Sequence, residues 1–354
     1  MGVGYSKTEK DLGEGFPKEE RLMGLNNYGN TCYANSILQS LYHCIPFREF
    51  VLSQHNKELS KIEQMNLLNC LSELFHNIRY NSKQIGKVGP RKFIGKLRKV
   101  NLLFAGKTQQ DAQEFLNFLL NEISDLYLQH KYPEMNLHDR SRQETEIHKI
   151  FRGELSTETK CRCCESSTSR KEHFLDLSLD IQENCSLTNC FKQFSIPEKL
   201  VGENKYYCEC CRSLQEAYKT TRISKLPQIL VIHQKRFKYF ERIQSHKKLF
   251  HKVSLPLEFK ILNTTKKCKK KNIPYELFAM VIHKGHAPHF GHYVAIIKSH
   301  DKWILMDDER VIVVNENFLE YFFGTPVGES VHNETSYILF YQQMDHKKNI
   351  QEQK

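Results

Sequence analysis

The stretch Asn27-Tyr28-Gly29-Asn30-Thr31-Cys32-Tyr33-Ala34-Asn35-Ser36 governs how the rest of the chain is read. Apolar residues follow Cys32 at Ala34, Ile37, Leu38, Leu41 and Ile45, close to the helical period. The Gly29-Asn30-Thr31 turn before them suits an amino-terminal cap. Cys32 is therefore expected in the first helical turn, facing orphan amides and the positive end of the macrodipole. Such a setting lowers the pKa of a thiol, and an imidazole beside the sulfur removes its proton. A distant segment, Gly291-His292-Tyr293, offers that ring at the start of a strand. Taken alone, a cysteine on an amphipathic helix is more often a small core residue. The remainder of the chain weighs against that reading.

Bulk properties set bounds. The 354 residues carry 52 Lys and Arg against 41 Asp and Glu, a net charge of +11. Much of the excess lies in runs such as Lys266-Lys267 and Lys269-Lys270-Lys271, which read as a solvated loop. Basic and aromatic residues are not interleaved on one face, so no nucleic-acid partner is expected. No apolar stretch approaches the ~20 residues of a transmembrane helix, and no signal-peptide pattern is present. The 12 cysteines, several in zinc-like spacing, then suit a reducing cytoplasmic or nuclear setting. Met1-Gly2-Val3-Gly4-Tyr5-Ser6 fits the loose pattern for myristoylation at Gly2, which alone gives only marginal membrane binding.

Along the chain, residues 1–23 read as a polar extension. Ala112, Phe115, Leu116, Leu119, Ile123 and Leu126 then form one apolar helical face. Thr108 with Asp111, or Asp111 with Glu114, supplies its cap. Residues 129–146 are polar and read as a linker. Beyond them the period becomes two: Leu175, Leu177, Leu179 and Ile181 alternate with polar residues, as in a half-buried strand. Further strands are expected at 228–233, 275–283, 293–298, 303–306 and 337–341. Helices followed by antiparallel strands make an α+β class.

Among 17 histidines, His292 is favoured as a base because it follows Gly291, which permits close approach of another segment. A short turn, Ser299-His300-Asp301-Lys302, leads to a second strand ending in Asp307-Asp308. Pairing Ser299 with Lys302 sets His292 opposite Glu309, with Asp307 its diagonal neighbour and Asp308 on the other face. An odd-length loop or a bulge would exchange the two acids. His283, His286 and His289 read as loop histidines, since no carboxylate or cysteine nearby completes a metal site. His233 and His251 read as structural or exposed.

Cys161-Arg162-Cys163-Cys164 and Cys208-Glu209-Cys210-Cys211 each contain a C-x2-C pair, and two such pairs match a tetrahedral zinc site. Cys161, Cys164, Cys208 and Cys211 are the expected ligands, with Cys163 and Cys210 as spare thiols or alternatives. A hairpin excursion carrying residues 174–182 is expected to bring the pairs together, with the metal stapling a projection that has little core.

Gly29-Asn30-Thr31-Cys32-Tyr33, Gln109-Gln110-Asp111-Ala112-Gln113-Glu114-Phe115, Lys235-Arg236-Phe237 and Gly291-His292-Tyr293 occur in an order that resembles the cysteine and histidine boxes of ubiquitin-specific proteases. The resemblance runs from about Gly24 to Gln342. Asp11-Leu12-Gly13 and Phe16-Pro17 also resemble the short members activated by WD-repeat proteins. It implies a papain-like core with a helical thumb (about 24–150), zinc-stapled β fingers (about 151–225) and an antiparallel β palm (about 226–345), then a polar tail at 346–354.

The implied activity is a thiol isopeptidase that cleaves after the carboxyl-terminal glycine of ubiquitin. Cys32 is the implied nucleophile, His292 the base and Asp307 its orienting acid, with Asp308 in support. Asn27, five residues before the nucleophile, is the implied oxyanion donor, although read alone it is a turn residue. Asp111 is implied to grip an arginine in ubiquitin's tail, and as a helix cap it has a second use. Zinc is implied as structural, with no catalytic cofactor; ubiquitin, ubiquitinated proteins and WD-repeat activators are the implied partners. The alternative is a catalytically weak ubiquitin-binding module that depends on its activator. Gln113 stands where relatives often have His, and Gln234 where Leu is common; neither is expected to touch the site.

Overall fold

The computed structural model describes residues 7–55, 66–106, 108–241, 244–268, 273–287 and 290–344. Gly2, His289, the 269–271 lysine run and the 346–354 tail therefore lie outside the described residues. The amino-terminal segment is more than a polar extension. It forms a short helix, α1 (Lys7–Leu12), and buries Leu12 and Phe16 in the main core. The edge of the Phe16 ring meets His300 at a centroid distance of 5.6 Å. Two apolar side chains among charges were too sparse a signal for the periodic reading.

Strand β1 (Leu22–Leu25) leads into α2 (Cys32–Tyr42), and α3 (Ile45–Leu52) and α4 (Leu67–Arg79) follow. Helix α2 is buried along its whole length. Ile45, expected on its apolar face, instead opens α3 ahead of Pro46 and is exposed. Strand β2 (Ile85–Val88) runs parallel to β1, and α5 (Arg91–Val100) precedes α6 (Ala112–Lys131). Asp111 caps α6, its Oδ1 accepting from the Gln113 and Glu114 amides at 2.7 and 3.2 Å. Residues 129–146 are not a plain linker. The end of α6, a short α7 (Leu137–Ser141) and the first residue of α8 (Glu146–Phe151) occupy part of that span. Asn136 caps α7 and a Thr145–His148 capping box starts α8, so local side-chain caps form helices that apolar periodicity does not mark.

Two sheets follow. The long hairpin β3 (Gly153–Cys161) and β4 (Ser167–Phe174) projects away, with β4 almost wholly exposed. The chain then leaves the projection. Strand β5 (Leu177–Leu179), β6 (Cys185–Ser186) and α9 (Leu187–Phe194) pack on the larger sheet before β7 (Glu198–Leu200) returns. A hairpin of β8 (Tyr206–Cys208) and β9 (Ser213–Gln215) leads to β10 (Ala217–Lys225), giving the order β4-β3-β10-β7. The 174–182 excursion is thus an edge strand of the large sheet and no finger hairpin: its buried Leu177, Leu179 and Ile181 need a core that the projection lacks.

The large sheet adds β11 (Ile229–Gln234) and β15 (Glu258–Lys260); between them lie a separate hairpin of β12 (Phe237–Phe240) and β13 (Ser245–Lys248), and β14 (Val253–Ser254), which pairs with β6. Strands β16 (Pro274–Ala287), β17 (Phe290–Ser299), β18 (Lys302–Asp307), β19 (Arg310–Val314) and β20 (Glu334–Gln343) complete it. Among the described residues its order is β19-β18-β17-β16-β20-β11-β5, with only the β11–β5 pair parallel. Both faces are buried, which is why these strands read as apolar runs. Tyr293, Ala295 and Ile297 face the helices, while Val294 and Ile296 face the second core. Helix α2 packs across β17, and this brings Cys32 to the strand that carries His292.

Candidate active site

Cys32 is the first residue of α2, and it is buried. The loop before it closes through Gly29 and Asn30, both in the left-handed region at φ +85° and +53°. Thr31 makes no side-chain cap bond to the helix; its hydroxyl instead accepts from the Tyr28 amide at 2.9 Å. The expected cap bond is absent, and Asn27 braces the loop ahead of the helix instead. Its Oδ1 accepts from the Gly29 and Thr31 amides at 3.0 and 3.2 Å, and from the Thr31 hydroxyl at 3.3 Å. Asn27 Nδ2 donates to Asp308 Oδ2 at 2.8 Å. One amide hydrogen is thereby fixed and the other is available beside the first turn of α2.

His292 Nε2 donates to Asp307 Oδ1 at 2.6 Å, and the Cys32 thiol is the ring's other electrostatic partner. Asp307, then Cys32, push the imidazole up to about 10 against the opposing effect of burial. The same bond holds the Asp307 carboxyl below its ordinary value. The expected register is present, with Ser299 on Lys302 and Lys298 on Trp303, but this pairing stops at Ala295 and Met306. A tight turn then pairs Asp307 with Arg310 and puts Asp308 at φ +49°. Asp307 points at the imidazole. Asp308 also keeps a carboxylate oxygen within 4.8 Å of the His292 ring and the Asp307 carboxylate, but its hydrogen bonds come from Asn27 and, at Oδ1, from Asn35 Nδ2 at 2.8 Å.

Sequence reasoning missed three residues here. Gln109 is buried and directs its Nε2 at the Cys32 sulfur, 3.6 Å away; no spacing pointed to this contact. Asn35 did carry a signal, since residues three apart share a helix face. Gly24 lies where an added Cβ would meet the Glu309 carbonyl oxygen at 2.4 Å, so β1 approaches the Asp307–Asp308 turn closely, and the Leu25 amide donates to the Asp308 carbonyl at 2.7 Å.

Asp111 sits apart from this group. Besides capping α6, its Oδ2 accepts from the Tyr337 hydroxyl at 2.5 Å. Gln113 donates to Asp176 at 3.1 Å. Gln234 is fully buried and accepts from Arg236 Nε and Ser336 Oγ. His283 is no loop histidine: it is buried in the middle of β16, and His286 lies on the same strand. Their strand has a polar end, which reads as a turn. His233 bonds Ser178 at 2.9 Å, a structural use.

The sequence profile described as ubiquitin carboxyl-terminal hydrolase matches residues 23–341. The chain belongs to the ubiquitin carboxyl-terminal hydrolase family. This hydrolase is 45% identical over 360 residues to ubiquitin carboxyl-terminal hydrolase 12 of Salmo salar, covering 98% of this chain and 96% of that one. Ubiquitin carboxyl-terminal hydrolase 4 of Arabidopsis thaliana is 44% identical over 365 residues, with 97% and 99% covered. Among solved structures, the SAGA Ubp8/Sgf11/Sus1/Sgf73 DUB module bound to ubiquitin aldehyde matches with a TM-score of 0.77 at 29% identity, over 93% of this chain and 71% of that one.

The hydrolase also carries a second cluster, at the tip of its projecting sheet. The sulfurs of Cys161, Cys164, Cys208 and Cys211 all lie within 4.8 Å of one another. A tetrahedral Zn–S₄ centre has sulfur–sulfur edges of roughly 3.8 Å, so this donor set fits a metal such as zinc. Each knuckle turns through a left-handed residue just after its second cysteine, Glu165 at φ +57° and Arg212 at φ +51°. Cys163 and Cys210 are exposed.

Proposed function

We propose that this hydrolase is a deubiquitinating thiol isopeptidase in which Cys32, His292 and Asp307 act as a triad. The observation that carries the reading is the line from carboxylate to imidazole to thiol, with the thiol on a helix amino terminus. Asp307 fixes the ring through Nε2, which leaves Nδ1 for the sulfur. His292 takes the proton of Cys32, and the thiolate attacks the carbonyl of ubiquitin's terminal glycine. Charge developing on that oxygen is met by Asn27 Nδ2 and the first-turn amides of α2. Asp308 holds the Asn27 amide in place, and Asn35 holds Asp308. His292 returns the proton to the leaving amine, and water activated by the same ring releases the acyl group.

Zinc held by Cys161, Cys164, Cys208 and Cys211 would staple the fingers and take no part in the chemistry. Thumb, fingers and palm are assigned to about 24–150, 151–225 and 226–345, with the 175–195 return to the palm as an exception inside the fingers. Asp111 retains lone pairs beyond its cap and its bond to Tyr337, which supports a contact with the arginine of ubiquitin's tail. The relatives' names and a ubiquitin-aldehyde complex support ubiquitin as the partner. A WD-repeat activator rests on the sequence resemblance, and work in the cytoplasm or nucleus rests on cysteines in zinc-like spacing, which suit a reducing setting.

Turnover of a ubiquitin–fluorophore conjugate and labelling by a ubiquitin carboxyl-terminal electrophile test the reading. Both are expected to vanish in Cys32→Ala. Retained turnover in that variant would remove the triad. The ready hydrogen bond of His292 to Asp307 favours an enzyme over a binding module.

A further inference from the structure

We infer that Lys248 is a positioning residue for His292, clamping the strand segment that lies directly across from it. Lys248 ends β13 and is buried. Its Nζ donates to the His283 carbonyl at 2.7 Å, the Asn333 carbonyl at 2.8 Å and the Gly285 carbonyl at 3.0 Å, and it lies 3.0 Å from His283 Nδ1. The two β16 carbonyls flank Lys284, and Lys284 is the residue paired with His292 across the ladder.

That ladder is what holds the His292 backbone. On the other side of β17, pairing with β18 begins only at Ala295. Beyond Lys284 the β16–β17 register breaks before resuming at Ala287 and Phe290. Gly285 and Gly291 sit there at φ +140° and +152°. A Cβ on Gly291 would lie 2.2 Å from the Lys284 carbonyl oxygen and 2.7 Å from His283 Nε2. The catalytic ring thus stands at the last regular pair before a strained bend, and Lys248 ties down both ends of its partner residue.

Stability alone does not account for a cation in this place. Among the described residues Lys248 forms no salt bridge; the groups beside it are Arg236, His283 and Glu334, and His283 in turn faces His292 and His286. Burial and then the Arg236 charge pull its ammonium down to about 7, and Glu334 only partly opposes them. Taking an ammonium out of water onto neutral carbonyls is costly. A methionine of similar length would fill the space without that cost. What it would not do is fix three carbonyls from two segments at one point.

The inference rests on the triad reading, and the test separates the two. Lys248→Met and wild type are compared by steady-state turnover of ubiquitin–fluorophore across pH, with melting curves to establish folding and Cys32→Ala as the control. The clamp predicts a kcat lower by about 10- to 100-fold at nearly unchanged KM, the cost of a small misplacement of a reacting group. It also predicts an alkaline limb of kcat/KM at lower pH, because the ring is held less well against Asp307. A limb at the wild-type position overturns the inference whatever kcat does, and so does a loss confined to KM. If Lys248→Met does not fold, Lys248→Gln, which keeps two N–H donors, is measured in the same way. Failure of both to fold assigns the clamp to stability and overturns the positioning role. Turnover surviving in Cys32→Ala would sink the triad itself.

Discussion

The bond from His292 Nε2 to Asp307 keeps the imidazole charged well past the pH at which a free ring loses its proton. A thiolate–imidazolium pair works only while that proton is present, so the alkaline limb of kcat/KM should lie near pH 10. Asp307 is the largest cause of the rise; without it the ring's pKa falls. Asp307→Asn is therefore expected to move the limb to lower pH as well as to lower kcat, and a pH profile of both enzymes checks this. Asn27 bears on a different step. On the proposed oxyanion role, Asn27→Ala should cost ~10²–10³ in kcat with KM little changed. The turn at His300-Asp301 was legible in sequence. The choice between the two acids stayed open to a bulge, and the pairing that would decide it ends at Ala295 and Met306, short of the acids. The contact from Gln109 was not legible, since nothing local ties residue 109 to the sulfur.

Among the elements, helix α2 and the Asp111 cap of α6 followed from period and cap chemistry. Ile45 did not, because an apolar residue that fits one helix's period can equally open the next one. His283 escaped for a related reason: it lies between apolar residues and a polar strand end, where a buried lysine from β13 supplies its partner. The amino-terminal segment was read as polar although two of its side chains enter the core. Phe16 is 5% exposed and packs at the foot of the β17–β18 hairpin. Phe16→Ala is expected to cost about 3 kcal/mol by the usual penalty for truncating a buried aromatic. Denaturant unfolding measures it, and a cost near zero would mean that the segment is not docked in solution.

At the level of the whole molecule, the fold class could be read from the change of period, but the path of the chain through it could not. The palm buries both faces of its sheet around two apolar clusters, whereas the projecting sheet exposes most of β4 and ends in the four-cysteine cluster. Removing metal with a chelator, or substituting Cys208→Ser, should lower the unfolding temperature and weaken ubiquitin binding. Alkylation of Cys32 by a small electrophile should persist, because the thiol is positioned by the other core. Equal loss of both would show the two regions to be one cooperative unit.

The return of residues 175–195 to the palm, between the two cysteine pairs, makes the projection non-contiguous along the polymer. Exchanging it for that of a relative would need four splice points rather than two. A simple cut-and-paste chimera would carry off an edge strand and a helix of the catalytic body, and would be expected to fail as a protein rather than to change its substrate preference.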